Sequence, residues 1–323
     1  MKILIIGGTG RISYKTSEYL IRQKHDVTIL NRGNHRNLGL DSYSVTADIN
    51  RPEEVKLALK DRVFDAVVDF LSFTPKDIAL HLSYFKNSPH YIFVSSTVAT
   101  NRKCVHMPFD ENTPLGNPDS EYGNNKALSE RFLSSCGYQN YTILRPSHTF
   151  DEREFPTLIH GKGTFTIVHR ILEGKPIPVI GNGEGLWSIL YAEDFGKALN
   201  VLLGNEQCFG EVFNVTALES HTWKEIFELE GSILGQMPIL FSLPLERFVQ
   251  DYPAFHDGLV GDKAISSSFD NRKICKIAPI FKTQCSLIDA LIRTKEYVFQ
   301  HEEMQKIDAQ FDSFLDEICK KYR

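Results

Sequence analysis

The sequence predicts a doubly wound, parallel α/β sheet with a smaller C-terminal lobe, on three observations. Short apolar runs alternate with helical patterns through residue 146. The first of these runs ends in a glycine-rich turn. The alternation breaks down after Pro146, where glycines and prolines divide residues 151–190. At 323 residues the chain exceeds one ordinary domain.

Lys2–Ile6 is apolar on both faces, as a central parallel strand covered on two sides must be. Gly7-Gly8-Thr9-Gly10 follows, then a helical pattern with Ile12, Tyr19, Leu20 and Ile21 that ends near His25. With a second strand over Asp26–Leu30, this makes a βαβ unit. Ser42–Thr46 predicts a weak strand, Pro52–Lys60 a helix, Ala66–Phe70 a strand and Ile78–Phe85 a helix. A strand over Tyr91–Val94, a helix over Glu121–Ser135 and a strand over Tyr141–Leu144 complete the series. Near the C-terminus, Ile307, Phe311, Phe314, Leu315 and Ile318 fall on one helical face, expected to pack on its own domain.

Apolar residues make up 42% and charged residues 24%, which excludes disorder and coiled coil. The net charge of −5 argues against a partner bound mainly through phosphate charge, so nucleic acid is not the expected ligand. Six cysteines include no C-x-x-C pair and are expected as reduced thiols. The opening apolar run is too short for a signal-peptide core, and no stretch approaches a membrane span. A soluble cytoplasmic chain is expected. The 11 histidines form no H-x-x-x-H pattern, so no metal site is expected, and His301-Glu302-Glu303 reads as a solvated helix face.

The turn Gly7–Ser13 lies between strand and helix, where glycine-rich motifs hold dinucleotides. Gly7 permits the sharp turn. Gly10 lets a pyrophosphate approach the backbone, and the amides at Arg11 and Ile12 can donate to it. Ser13 stands where a third glycine is usual. The second strand ends in Asn31-Arg32-Gly33, without the carboxylate that favours NAD. Arg32, with Arg36 nearby, can pair with a 2′-phosphate, so NADP is favoured over NAD. The expected division is a dinucleotide-binding domain over 1–146, with sheet segments returning near 189–216, and a mostly substrate-binding lobe over 147–323.

Tyr122 and Lys126 are four apart on one helical face. Ser95-Ser96-Thr97 follows the strand Tyr91–Val94, at the end of the sheet that faces a ligand crevice. A hydroxyl, a phenol and an ammonium converging there suit proton transfer coupled to hydride transfer. Tyr122 is the expected general acid/base, with Lys126 expected to lower its pKa and Thr97 to hold the reacting oxygen.

With these motifs, the chain resembles the short-chain dehydrogenase/reductase superfamily, in its extended, NAD-dependent epimerase/dehydratase-like branch, which has the Rossmann fold. The resemblance implies that Thr97, Tyr122 and Lys126 are the catalytic Ser/Thr, Tyr and Lys. It implies that Asp48-Ile49 contacts adenine, that Phe70-Leu71-Ser72 lies beside the cofactor, and that Leu144–His148 leads from nicotinamide to substrate. Ser95, Lys126 and Pro146 join the expected cofactor contacts. Glu111–Pro114 and Asp194 also match this branch. The family's dehydratases carry an Asp-Glu pair after the catalytic Thr, where this chain has Val98-Ala99. Gly181–Ser188 resembles the stretch that binds the diphosphate of sugar nucleotides, with Trp187 in place of the arginine. Trp187 and His148 are therefore expected to line the substrate crevice. The chain also resembles an atypical subgroup that includes chloroplast stem-loop RNA-binding proteins.

Two functions follow as expectations. One is an NAD(P)-dependent epimerase or reductase acting on a sugar or nucleotide sugar, with a homodimer as the assembly considered. The other is a cofactor-binding protein without turnover, binding RNA or sensing redox state on the same fold. The Thr97, Tyr122 and Lys126 trio favours the enzyme, since binding alone needs none of it.

Overall fold

The computed structural model describes residues 1–34, 39–60 and 62–322. Arg36 lies outside the described residues. The first half alternates as β1 (Lys2–Ile6), α1 (Arg11–Arg22), β2 (Asp26–Asn31), β3 (Ser44–Thr46), α2 (Pro52–Leu59), β4 (Ala66–Asp69), α3 (Pro75–Phe85) and β5 (Tyr91–Val94). Then come α4 (Glu121–Ser135), β6 (Tyr141–Pro146), β7 (His148–Phe150), α5 (Phe165–Leu172), β8 (Pro176–Ile180), β9 (Leu186–Trp187), β10 (Ile189–Tyr191) and α6 (Ala192–Leu202). The remainder holds β11 (Glu211–Val215), β12 (His221–Thr222), α7 (Trp223–Leu234), β13 (Ile239–Leu243), α8 (Leu245–Asp251), α9 (His256–Gly258), α10 (Arg272–Ile277), α11 (Leu287–Gln300) and α12 (Ala309–Lys321).

Seven parallel strands form the main sheet in the order β3-β2-β1-β4-β5-β6-β11. Along β1, Ile3 and Ile5 join the core beneath α1 and α6, whereas Leu4 and Ile6 join the core beneath α2, α3 and α4. That two-sided burial is why the strand is apolar throughout. Strand order reverses between β1 and β4, and a ligand crevice opens at their carboxyl ends.

The lobe has its own core, which includes Phe155, Phe165, Trp187, Trp223, Phe227, Phe248 and Leu291. Three small two-stranded sheets build it: β7 with β10, β8 with β13, and β9 with β12. Phe311, Leu315 and Ile318 of α12 are buried in this core, while Ile307 precedes the helix and is exposed. The expected helix at His301–Glu303 is absent, because α11 ends at Gln300 and a single 3-10 turn covers Glu302–Met304. Residues 151–154 strap the lobe to α1. Lys15 pairs with Glu152, Arg11 with Glu154, and Arg153 reaches the Gly10 carbonyl at 3.3 Å while lying over the Tyr14 ring.

Candidate active site

A cavity of about 780 Å³ occupies the crevice. Ten of the expected cofactor residues line it: Gly7, Gly10, Arg11, Ile12, Asn31, Arg32, Asp48, Ile49, Phe70 and Leu71. Tyr122 lies on the same wall system, so the glycine turn and the Tyr/Lys helix face one space.

The turn takes its shape from glycine. Gly7 and Gly8 have φ of +111° and +78°, a region costly for residues with a Cβ. A Cβ on Gly8 would also collide with Ile29. The Gly7 amide closes the turn on the Leu30 carbonyl at 2.9 Å. Ser13, in the place of the third glycine, accepts the Gly10 amide at 2.9 Å. The Gly10 amide therefore already has an acceptor, whereas the first amides of α1 have no acceptor within the helix. A bare turn, a helix start and a long cavity are together suited to a dinucleotide pyrophosphate. Asn31 is fixed by the Gly33 amide at 2.7 Å and by Ser44, and Arg32 is exposed at the rim.

Tyr122 and Lys126 project from the first two turns of α4, which Ser120 caps by accepting the Gly123 amide at 2.9 Å. Tyr122 is 40% exposed, with its ring 6.4 Å from that of Phe73. Burial of the hydroxyl raises its pKa, a hydrogen bond with Ser96 lowers it, and the charge of Asp262 raises it again, with a net upward shift. Lys126 is buried, and its Nζ donates to the Ser72 carbonyl at 2.7 Å and the Val94 carbonyl at 2.8 Å. It sits over the rings of Phe73 and Phe93, with the Tyr122 ring 5.9 Å away. Burial brings its ammonium down to about 8, against the upward pull of Asp69, Glu130 and Asp77. The expected lowering of Tyr122 by Lys126 is thus not found. The ammonium is held by backbone carbonyls, and burial dominates at the phenol.

A hydrogen bond joins the Tyr122 hydroxyl to that of Ser96. Thr97 is buried at the start of a 3-10 turn over Thr97–Ala99 and does not line the cavity. The Ser95 hydroxyl donates to Glu130 at 2.5 Å, within the buried Glu130–Arg145 ion pair. Pro146 ends β6, paired with Val215, and lines no part of the cavity. Trp187 is 3% exposed and stacks on Trp223 at 5.8 Å, in the lobe core and away from the crevice wall. Among the described residues, its indole N–H has no hydrogen-bond partner. His148 is half-buried, 6.3 Å from the Trp187 ring, and lines a small void with Arg11 and His160. Burial, then the charges of Lys263, Arg11 and His160, hold its pKa well below the ordinary value. An imidazole so placed is neutral at pH 7.

Phe73, Asp77, Thr9 and Thr149 also line the cavity and were not expected there. Phe73 follows the quoted Phe70-Leu71-Ser72 run directly, and an exposed phenylalanine before the Thr74 cap of α3 is the one signal that could have marked it.

Fold and site define a dinucleotide-binding α/β protein with a hydroxyl-bearing pocket. The model of the NAD dependent epimerase/dehydratase family matches residues 3–216, and the chain belongs to that family. It is 27% identical over 229 residues to the chloroplast stem-loop binding protein of 41 kDa b of Arabidopsis thaliana, covering 67% of this chain and 58% of that protein. It is also 27% identical over 278 residues to the UDP-glucose 4-epimerase of Lactobacillus helveticus, covering 73% of this chain and 82% of the relative. A UDP-glucose-4-epimerase structure from Stenotrophomonas maltophila, with NAD and formylated UDP-arabinopyranose, superimposes with a TM-score of 0.75 at 17% identity. It covers 94% of this chain and 99% of that one. At that identity the likeness establishes the fold alone.

Proposed function

We propose that the chain is a nicotinamide-dinucleotide-dependent enzyme that acts at a hydroxyl or carbonyl of a sugar or nucleotide sugar. The observation that carries this reading is the shared cavity of the glycine turn and Tyr122. The UDP-glucose 4-epimerase and 2′-dehydrokanamycin reductase relatives, 27% and 24% identical, support the two reaction classes. A nicotinamide dinucleotide, when bound, would supply the hydride donor or acceptor; the turn and α1 would hold its pyrophosphate, Asp48 and Ile49 its adenine, and Lys126 its nicotinamide ribose.

Tyr122 and Ser96 hold the reacting oxygen. Because burial keeps the phenol protonated, Tyr122 begins as a proton donor, which suits reduction of a carbonyl. The opposite direction requires the phenolate, which burial and the Asp262 charge disfavour. Position 187 offers no cation, so a diphosphate handle at that point is missing. The exposed Arg32 supports a preference for NADP.

Calorimetry with NADH and NADPH tests the cofactor, and Tyr122→Phe tests the chemistry. NADPH should bind more tightly, and Arg32→Ala should abolish the difference. Tyr122→Phe should keep cofactor affinity while turnover on keto sugars falls by about 10²–10⁴. Equal turnover in the variant would remove the mechanism. The RNA-binding reading rests on the stem-loop protein of Arabidopsis thaliana and is opposed by the net charge of −5. Stem-loop RNA retained on a filter at physiological salt would revive it.

A further inference from the structure

The first turn of α4, which carries Tyr122, is held by a side chain from the lobe. Asp257, on the short helix α9, accepts the Ser120 hydroxyl at 2.9 Å and the Glu121 amide at 2.8 Å. Ser120 in turn accepts the Gly123 amide at 2.9 Å, so these bonds engage the backbone on both sides of Tyr122. A helix N-terminus presents amides without acceptors in the helix and a partial positive charge, and a carboxylate satisfies both. Here the carboxylate lies 136 residues beyond Glu121 in the chain. Asp119, just before the cap, is engaged with Lys103 at 2.6 Å.

Asp257 sits on a segment bonded to both sides of the crevice. A π-helical turn, Leu259–Lys263, follows α9. Toward α4, the Gly261 carbonyl accepts from Asn117 at 2.8 Å and from Arg102 at 3.3 Å, and Asp262 pairs with Arg102 at 2.7 Å. A Cβ on Gly261 would stand 2.7 Å from the Asp119 carbonyl oxygen, so the segment lies directly on the turn before α4. Toward the lobe, the Lys263 ammonium donates to the carbonyls of Thr157 and Leu158 at 2.9 and 3.0 Å. The Lys263 carbonyl accepts the Trp223 indole N–H at 3.2 Å, and the Ser267 amide donates to the Leu186 carbonyl at 2.9 Å.

We infer that Asp257 is a positioning residue: from the lobe, it sets the placement of Tyr122 by bonding the N-terminus of α4 through Ser120 and Glu121. The inference rests on the proposed role of Tyr122 and deepens it. A phenol that gives up a proton must stand at the reacting oxygen, and a misplacement of about 1 Å costs up to about 10²-fold in rate. Asp257 does not touch the reacting groups; it acts on them through the helix that bears Tyr122.

The test is ¹³C NMR of the full chain with ring-labelled tyrosine, Tyr122 being assigned by its loss in Tyr122→Phe. Asp257→Ala should shift or broaden the Tyr122 signal and leave tyrosines far from α4 in place. Asp257→Asn keeps one oxygen acceptor, should give a smaller change, and serves where Asp257→Ala fails to fold. A Tyr122 signal unmoved in the folded variant overturns the inference, as does an equal disturbance of every tyrosine. In turnover of keto sugars with NADPH, kcat should fall by about 10–100-fold with KM for NADPH unchanged. A rise in KM alone overturns the inference as well. A displaced Tyr122 in a chain that neither binds NADPH nor turns over keeps the positioning and refutes the enzyme reading. Wild-type turnover with an unmoved Tyr122 refutes the positioning alone.

Discussion

Ser96 and Thr97 are adjacent hydroxyls with different surroundings: Ser96 is hydrogen-bonded to the phenol, and Thr97 is buried at the start of a 3-10 turn. Ser96→Ala should therefore reduce turnover by an order of magnitude or more, while Thr97→Val should change mainly stability. Parallel steady-state and thermal-unfolding measurements distinguish the two. Three successive hydroxyls were legible in the sequence. Their different surroundings were not, because the 3-10 turn at Thr97–Ala99 that follows the strand leaves no sequence pattern. Trp187 shows the same limit, since its place beside Trp223 depends on a strand pairing between residues 186–187 and 221–222. Glu230 had no signal at all. It is fully buried on α7, with both carboxyl oxygens unpartnered, and burial pushes its pKa well above the ordinary value. A group raised in this way gives its stability at low pH and loses it as pH climbs through the folded value. Glu230→Leu should raise neutral-pH stability by about 1–3 kcal/mol and flatten its decline with rising pH, as read by urea unfolding.

At the scale of elements, α4 owes its position to a residue without a side chain. Gly123 follows Tyr122 directly and lies against the Val98 carbonyl, where a Cβ would clash with backbone. Asn117 reinforces the contact by donating to the same carbonyl at 3.0 Å. Gly123→Ala should lift the helix from the Thr97–Ala99 turn and cost about 1–3 kcal/mol, despite the better helix propensity of alanine. Thermal unfolding checks the loss, and a weakened response of Tyr122 to cofactor checks the displacement. The regular strands of the main sheet were legible because burial on both faces demands unbroken apolar runs. Most of the lobe was not, because four of its six strands have only two or three residues and carry no periodicity.

The whole molecule joins the two cores that flank the main sheet to the core of the lobe through an ionic strap and one returning strand. That strand, β11, completes the sheet at the edge of β6 only after the chain has passed through β7–β10 and α6. Among the described residues, no helix is long and apolar enough to cross a membrane. The return of β11 carries a consequence for synthesis and for cutting the chain. A nascent chain that has emerged only as far as Pro146 presents β6 as a bare edge with unmet amides and carbonyls, open to pairing with another copy. Residues 1–146 expressed alone should accordingly aggregate, and a longer piece ending after Val215 should gain solubility, as sedimentation would read. The cofactor cradle is translated first, yet it waits on the last third of the sheet's sequence span before its far edge is closed.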